Sequence, residues 1–275
     1  MKSLAVCVAI LISLPATPQI PPGGTIVVMV YRPDEITMAA DSKFSGNLSQ
    51  IFHTNQSCKI SVFGDTMIFS AAHHVVVPAG KEYRWAHQDA RDAWSRIMES
   101  RSSLERPHRT DSIAALWGAM QVKNWREYFH QNRTAYAPDD TETGRLLIGL
   151  FAGIEPSGPR IVQVVITFDQ PMYGVDGFVP VVARLTVIEK PPKGSYTLKA
   201  IGETQIVQQM KDKEIRASAE ANLPQWPIYA AKQLVQDTID LHPDHDLFSG
   251  PVDVLQWSPA TGIRWINRKP GCAAH

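Results

Sequence analysis

The sequence predicts an α+β protein: a four-layer αββα sandwich of two stacked antiparallel sheets with helices outside. Three observations carry this expectation. β-prone runs come in pairs joined by short turns, which marks hairpins. Between the pairs lie stretches whose apolar residues repeat at helical spacing. The order along the chain is strands, two helices, strands, helices, strands, and that order suits two sheets packed face to face with helical layers on their outer sides.

Thr25-Ile-Val-Val-Met-Val-Tyr31 is the first strongly β-prone run. Arg32 to Glu35 make a turn, and Ile36 to Asp41 return as a second strand. After a polar loop from Ser42 to Ser57, Lys59 to Phe63 and Met67 to Ala72 form another hairpin. Its Gly64-Asp65 tip favours a tight turn. Helical periodicity follows over Lys81 to Arg101, with Ala86, Ala90, Ala93, Trp94, Ile97 and Met98 on one face. Arg106-Pro107 breaks it, and Asp111 is placed to cap a second helix. Ile113, Leu116, Trp117, Met120, Tyr128 and Phe129 share a side of that helix, as residues facing a core do.

Strands then resume. Leu146 to Ile154 and Ile161 to Phe168 flank a Pro-Ser-Gly-Pro turn, and Val179 to Glu189 and Tyr196 to Ile201 are further β candidates. Helical patterns at Thr204 to Met210 and Pro227 to Leu241 precede a last pair of strands, Val252 to Trp257 and Gly262 to Ile266. No solenoid-length repeat and no low-complexity tract interrupts the series.

Composition bounds the function. Of 275 residues, 44% are hydrophobic and 20% charged, and the formal net charge is zero, so nothing asks for nucleic acid or an anionic membrane surface. Lys2, the apolar run Leu4 to Leu14 and the following Pro15-Ala16 read as a secretory signal peptide. The run is shorter than the roughly 20 residues a spanning helix needs. We expect export to the periplasm or the medium, with a signal peptide over 1–16, a pro-segment over 17–24, one domain over 25–268 and a tail over 269–275. Cys58 and Cys272 then remain, compatible with one disulfide in an oxidising compartment. Asn47, Asn55 and Asn132 each begin an Asn-x-Ser/Thr triplet.

Four segments carry chemistry when taken together. Gly24-Thr25 opens the first strand, and Asp41 ends its hairpin partner, so it lies across from that start. Lys59 begins the next strand, and Asp246-Leu-Phe-Ser249-Gly250 lies between a long helix and the last hairpin. A threonine hydroxyl is a poor nucleophile until a base takes its proton. A free α-amine, with a pKa of ~7.7–8.0, is such a base near neutrality. Scission before Thr25 would put that amine on the residue that carries the hydroxyl. A buried lysine beside the hydroxyl would favour alkoxide character, and an aspartate facing the lysine would offset its desolvation.

With these residues in place, the chain resembles the β-type subunits of the 20S proteasome and their relatives among the N-terminal-nucleophile (Ntn) hydrolases. The likeness runs over most of Gly23 to Ile266. It includes the Gly-Thr opening, Ala39-Ala-Asp-Ser42, the Lys59-Ile pair and Leu146-Leu-Ile-Gly-Leu-Phe-Ala-Gly before a Gly-Pro-Arg strand. It also includes Lys199-Ala-Ile-Gly202 and Asp-x-x-Ser-Gly after an Ala-rich helix. The resemblance implies the Ntn-hydrolase fold and Thr25 as nucleophile and base. It implies Asp41 and Lys59 as charge partners, with Asp246 and Ser249 as hydrogen-bonding support near the amine.

Two positions depart from the family. Its oxyanion-binding backbone N–H belongs to a glycine after the fourth strand, where His73 stands here. The backbone donor survives that change. The imidazole would either crowd or polarise the substrate pocket, or turn to solvent. The family's Ser-Gly-Ser reads Gly202-Glu203-Thr204, so Glu203 stands in for a supporting serine. The expected function is a threonine-type peptidase or amidohydrolase that cleaves itself at Gly24-Thr25 and acts on a peptide or other amide through an acyl-enzyme. No metal or organic cofactor is implied; the family's rings make self-assembly into oligomers one expectation, with a monomer or small oligomer the other. The alternative is a catalytically inactive structural or binding protein of the same fold.

Overall fold

The computed structural model describes residues 25–42, 58–73, 75–79, 82–100, 108–131, 145–169, 181–202, 226–241 and 250–269. The expected leader and pro-segment, the three Asn-x-Ser/Thr triplets and the helical pattern at Thr204 to Met210 lie outside these residues.

The described chain is α+β, with two five-stranded antiparallel sheets, a short two-stranded ribbon and three helices. The first hairpin is β1 (Ile26–Arg32) and β2 (Glu35–Ala40), and the second is β3 (Ile60–Phe63) and β4 (Met67–His73). A ribbon of β5 (Val76–Ala79) and β6 (Glu82–Trp85) leads into helix α1 (Ala86–Glu99), and α2 (Arg109–Gln131) follows. The chain continues with β7 (Arg145–Glu155), β8 (Gly158–Phe168), β9 (Val181–Ile188) and β10 (Thr197–Gly202). It then forms α3 (Trp226–Leu241), β11 (Asp253–Ser258) and β12 (Gly262–Asn267). One sheet has the order β10-β1-β2-β11-β12 and the other β3-β4-β7-β8-β9.

The burial pattern explains the continuous apolar reading of β1. Val27, Met29 and Tyr31 belong to one apolar cluster with Ile60, Ile68, Ala72, Ile148 and Leu150 of the other sheet. The alternate residues Ile26, Val28 and Val30 join Trp226, Ala231, Leu234 and Val235 of α3. A strand covered on both faces has no polar side to alternate with, so period two disappears from its sequence. On the second sheet, Phe69, Phe151 and Val164 pack with Ala90 and Ala93 of α1 and Trp117 and Trp125 of α2. Gly149 lies under the Trp117 ring, too close for any side chain.

Two local expectations are corrected. The first helix does not begin at Lys81: Glu82–Trp85 pairs with β5 as a strand, and α1 starts at Ala86. The Trp85 N–H donates to the Gln88 Oε1 at 3.2 Å, which marks the true entrance to the helix. Asp111 does not cap α2. It sits in the first turn and forms a bidentate pair with Arg160 at 2.5 and 2.6 Å. The capping carboxylate comes from Glu155 at the end of β7, which accepts from the N–H groups of His108 at 3.3 Å and Thr110 at 3.0 Å.

Candidate active site

Thr25, Asp41 and Lys59 converge at one end of the two sheets. Cross-strand register brings Asp41 to the start of β1: β2 pairs with β1 as far as Val27 opposite Ala40. One step beyond, the Asp41 N–H donates to the Ile26 carbonyl at 3.2 Å, and the Ile26 N–H donates back to Asp41 Oδ1 at 3.0 Å. The carboxylate therefore grips the first amide after Thr25. Lys59 precedes β3 on the facing sheet and reaches across to the same group. Its Nζ donates to Asp41 Oδ1 at 2.9 Å and Oδ2 at 2.8 Å. The Lys59 carbonyl is held in turn by the Ser70 hydroxyl of β4.

All three residues are buried, with Thr25 2%, Asp41 0% and Lys59 2% exposed. Burial pushes the Lys59 ammonium below the usual lysine range, Asp41 opposes that by charge and hydrogen bonding, and the Lys269 cation reinforces it. An ion pair this deep is costly to break on one side, because the other charge is left without compensation.

Gly202 closes β10 opposite Ile26, with φ +91°. A Cβ there would overlap the Thr25 carbonyl oxygen, so only glycine allows the approach. The same imaginary Cβ would lie 3.3 Å from the Ala72 side chain, which places the end of β4 beside Thr25. His73 follows at that strand's last position with φ +69°, the left-handed region that glycine enters freely and histidine rarely does.

Gly250 has φ +87°, and a Cβ on it would meet the Ser42 Cβ at 2.9 Å. The Ser42 hydroxyl also donates to the Pro251 carbonyl. The chain that emerges from the Asp246 to Ser249 segment thus docks on the residue after Asp41. Asp246, Ser249, Glu203 and Gly24 themselves lie outside the described residues. Cys58, next to Lys59, is disulfide-bonded; Cys7 and Cys272, the other two cysteines, also lie outside them.

Sequence reasoning missed two charged residues here. Asp253 opens β11 opposite Ala40, and Lys269 follows β12. Both are buried, with Lys269 Nζ 3.1 Å from Asp253 Oδ2 and the Lys269 N–H donating to Oδ1 at 2.9 Å. Packing thus extends at least to Lys269 among the described residues. The available signal was an aspartate on the same strand face as the apolar Leu255 and Trp257. Among the described residues, no group of three His, Cys, Asp or Glu side chains is placed to hold a metal ion.

No protein-family model matches this chain, and no curated protein does.

Proposed function

We propose that the chain is an Ntn hydrolase of the proteasome β-subunit type, an exported threonine peptidase or amidohydrolase that matures by cutting Gly24-Thr25. The observation that carries this reading is the double engagement of Asp41. One carboxylate holds both the amide after Thr25 and the ammonium of a buried lysine from the facing sheet. A purely structural hairpin end has no use for a buried cation at that place, since burying it is costly.

The fold reading is the four-layer αββα sandwich. Its support is the sharing of apolar clusters: one between the sheets, one between the first sheet and α3, and one between the second sheet and α1 with α2. In the mechanism, Thr25 Oγ attacks the Gly24 carbonyl, the Gly24–Thr25 C–N bond breaks, and the acyl group moves to oxygen. Water then hydrolyses the ester and leaves a free Thr25 amine. In turnover that amine takes the hydroxyl proton as Oγ attacks a substrate carbonyl and returns it to the leaving amine; water then hydrolyses the acyl ester and restores the Thr25 hydroxyl. Lys59 stabilises developing charge on Oγ by proximity, and Asp41 holds it there. Asp246 and Ser249 support the amine, and the backbone N–H of His73 faces the oxyanion. Glu203 takes the place of a supporting serine. The substrate is a peptide or another amide.

A second reading, an inactive structural or binding protein of the same fold, is favoured by His73, whose imidazole replaces the hydrogen of the family's glycine. The two are separated by rapid quench of turnover on an amide substrate, followed by mass mapping. The hydrolase reading expects an acyl adduct on the Thr25 peptide, absent in Thr25→Ala. Turnover with no adduct on that peptide, or no turnover at all, would overturn it.

A further inference from the structure

Asp253 and Lys269 form a second buried ion pair close to the first. Asp253 lies directly opposite Ala40 in the register of β2 and β11, one residue from Asp41. It shares its strand face with Leu255 and Trp257, which line the apolar cluster between the sheets, so its charge stands on a face otherwise given to apolar packing. Lys269 clamps it with both its backbone N–H and its ammonium, at 2.9 and 3.1 Å. The pair is too far inside to be a surface salt bridge: the two side chains are 2% and 1% exposed. Lys269 also acts electrostatically on both members of the first pair, being attracted by Asp41 and repelling the charge on Lys59.

We propose that the Asp253–Lys269 pair is a positioning element for Lys59: Asp253, one register step from Asp41, anchors a second buried cation at a fixed place beside the Asp41–Lys59 pair. This rests on the hydrolase reading for its meaning in catalysis. Asp41 accepts from Ile26 and Lys59 and at the same time feels the Lys269 cation. Asp253 keeps Lys269 from moving onto Asp41, and so preserves the grip of Asp41 on Lys59 and on the amide after Thr25. The charged and titratable groups facing Lys59 are Asp41 from the end of β2, Lys269 from beyond β12 and His87 from α1. Burial holds His87 neutral, with its pKa pushed down to about 3, so Asp41 and Lys269 carry the charges that act on Lys59 near neutral pH.

The test is the variant Asp253→Asn/Lys269→Met in the full chain. Asparagine keeps the acceptor for the residue-269 N–H, and loss of both charges leaves neither uncompensated. The Lys59 Cε resonance is followed against pH, assigned by its loss in Lys59→Met. Without the Lys269 cation, the Lys59 titration should move to higher pH by ~0.5–1 unit, as removal of a nearby like charge requires. The Lys59-dependent limb of the kcat/KM profile should move the same way. Lys269→Arg should return both to the wild-type position, and serves alone if the double variant does not fold. In that variant a titration displaced from wild type would count against the proposal. An unchanged Lys59 titration in the folded double variant would overturn it. A displaced titration in a protein that neither matures nor turns over amide would uphold the electrostatic coupling while removing the hydrolase reading.

Discussion

Gly202 and Thr25 touch so closely that the carbonyl of one occupies the space where the other would carry a Cβ. The contact fixes the height of Thr25 relative to Asp41, because β1 is pinned between β10 and β2 by register on both sides. Gly202→Ala would have to push Thr25 away and would also hold alanine at φ +91°. We expect a loss of about 1–3 kcal/mol in a urea titration. Conversion to the mature chain should be slowed at least about tenfold, which corresponds to only ~1.4 kcal/mol in the barrier. Maturation at the wild-type rate would show that the position of Thr25 does not depend on this contact.

The Asp41–Lys59 pair predicts a specific pattern of non-additivity. Asp41→Asn alone strands a buried ammonium and should cost about 3–5 kcal/mol, and Lys59→Met alone should cost a similar amount. The double variant removes both charges and should recover much of that stability while remaining unprocessed. A double-mutant cycle on unfolding midpoints measures the coupling. Additive single losses would argue against a tight pair.

His87 predicts acid lability. It is buried on α1, accepts from or donates to the Ser61 hydroxyl at 2.7 Å, and lies edge-on to Phe69. Burial, with Lys59 and Arg91 adding to it, pushes its pKa from 6.5 to about 3. Between those values the unfolded chain binds a proton that the folded chain does not. Stability therefore falls as pH drops through the window from about 6.5 to about 3, at up to ~1.4 kcal/mol per pH unit for this one group. Above 6.5 both states hold a neutral ring and the effect vanishes. His87→Gln should flatten the slope of urea midpoint against pH in that window. An unchanged slope would assign the acid lability to the carboxylates.

His73 predicts a gain. A histidine at φ +69° bears the left-handed penalty of about 1–2 kcal/mol that glycine escapes, partly offset by glycine's larger backbone entropy. His73→Gly should raise stability by ~0.5–1 kcal/mol in chemical unfolding. It also keeps the backbone N–H, so turnover should survive while selectivity among amide substrates changes. A destabilised His73→Gly would mean that the imidazole's contacts outweigh the strain.

What was legible in the sequence was local. The hairpin of β1 and β2 announced itself by β-prone runs around a turn, and the register then dictated that Asp41 face the start of β1. Lys59 had no pattern of its own in the sequence and gained a role only beside Thr25 and Asp41, and the structure joins it to Asp41. The errors came from contacts distant in sequence. The strand Glu82–Trp85 exists because β5 offers it a ladder, and the alanine periodicity of α1 extended a false helix back over it. Asp111 looked like a cap, but the α2 N-terminus is satisfied by Glu155, whose carboxylate comes from 45 residues away. Lys269 was invisible for the same reason, and Asp253 showed only as a charge on the strand face of Leu255 and Trp257.

Intact mass with N-terminal sequencing of the purified protein shows whether Thr25 becomes the N-terminus. The expected result is a mature chain beginning at Thr25, with Thr25→Ala leaving the residues before it attached. A protein that turns over amide substrate while beginning at Thr17, or a Thr25→Ala chain trimmed to the same residue, would contradict it.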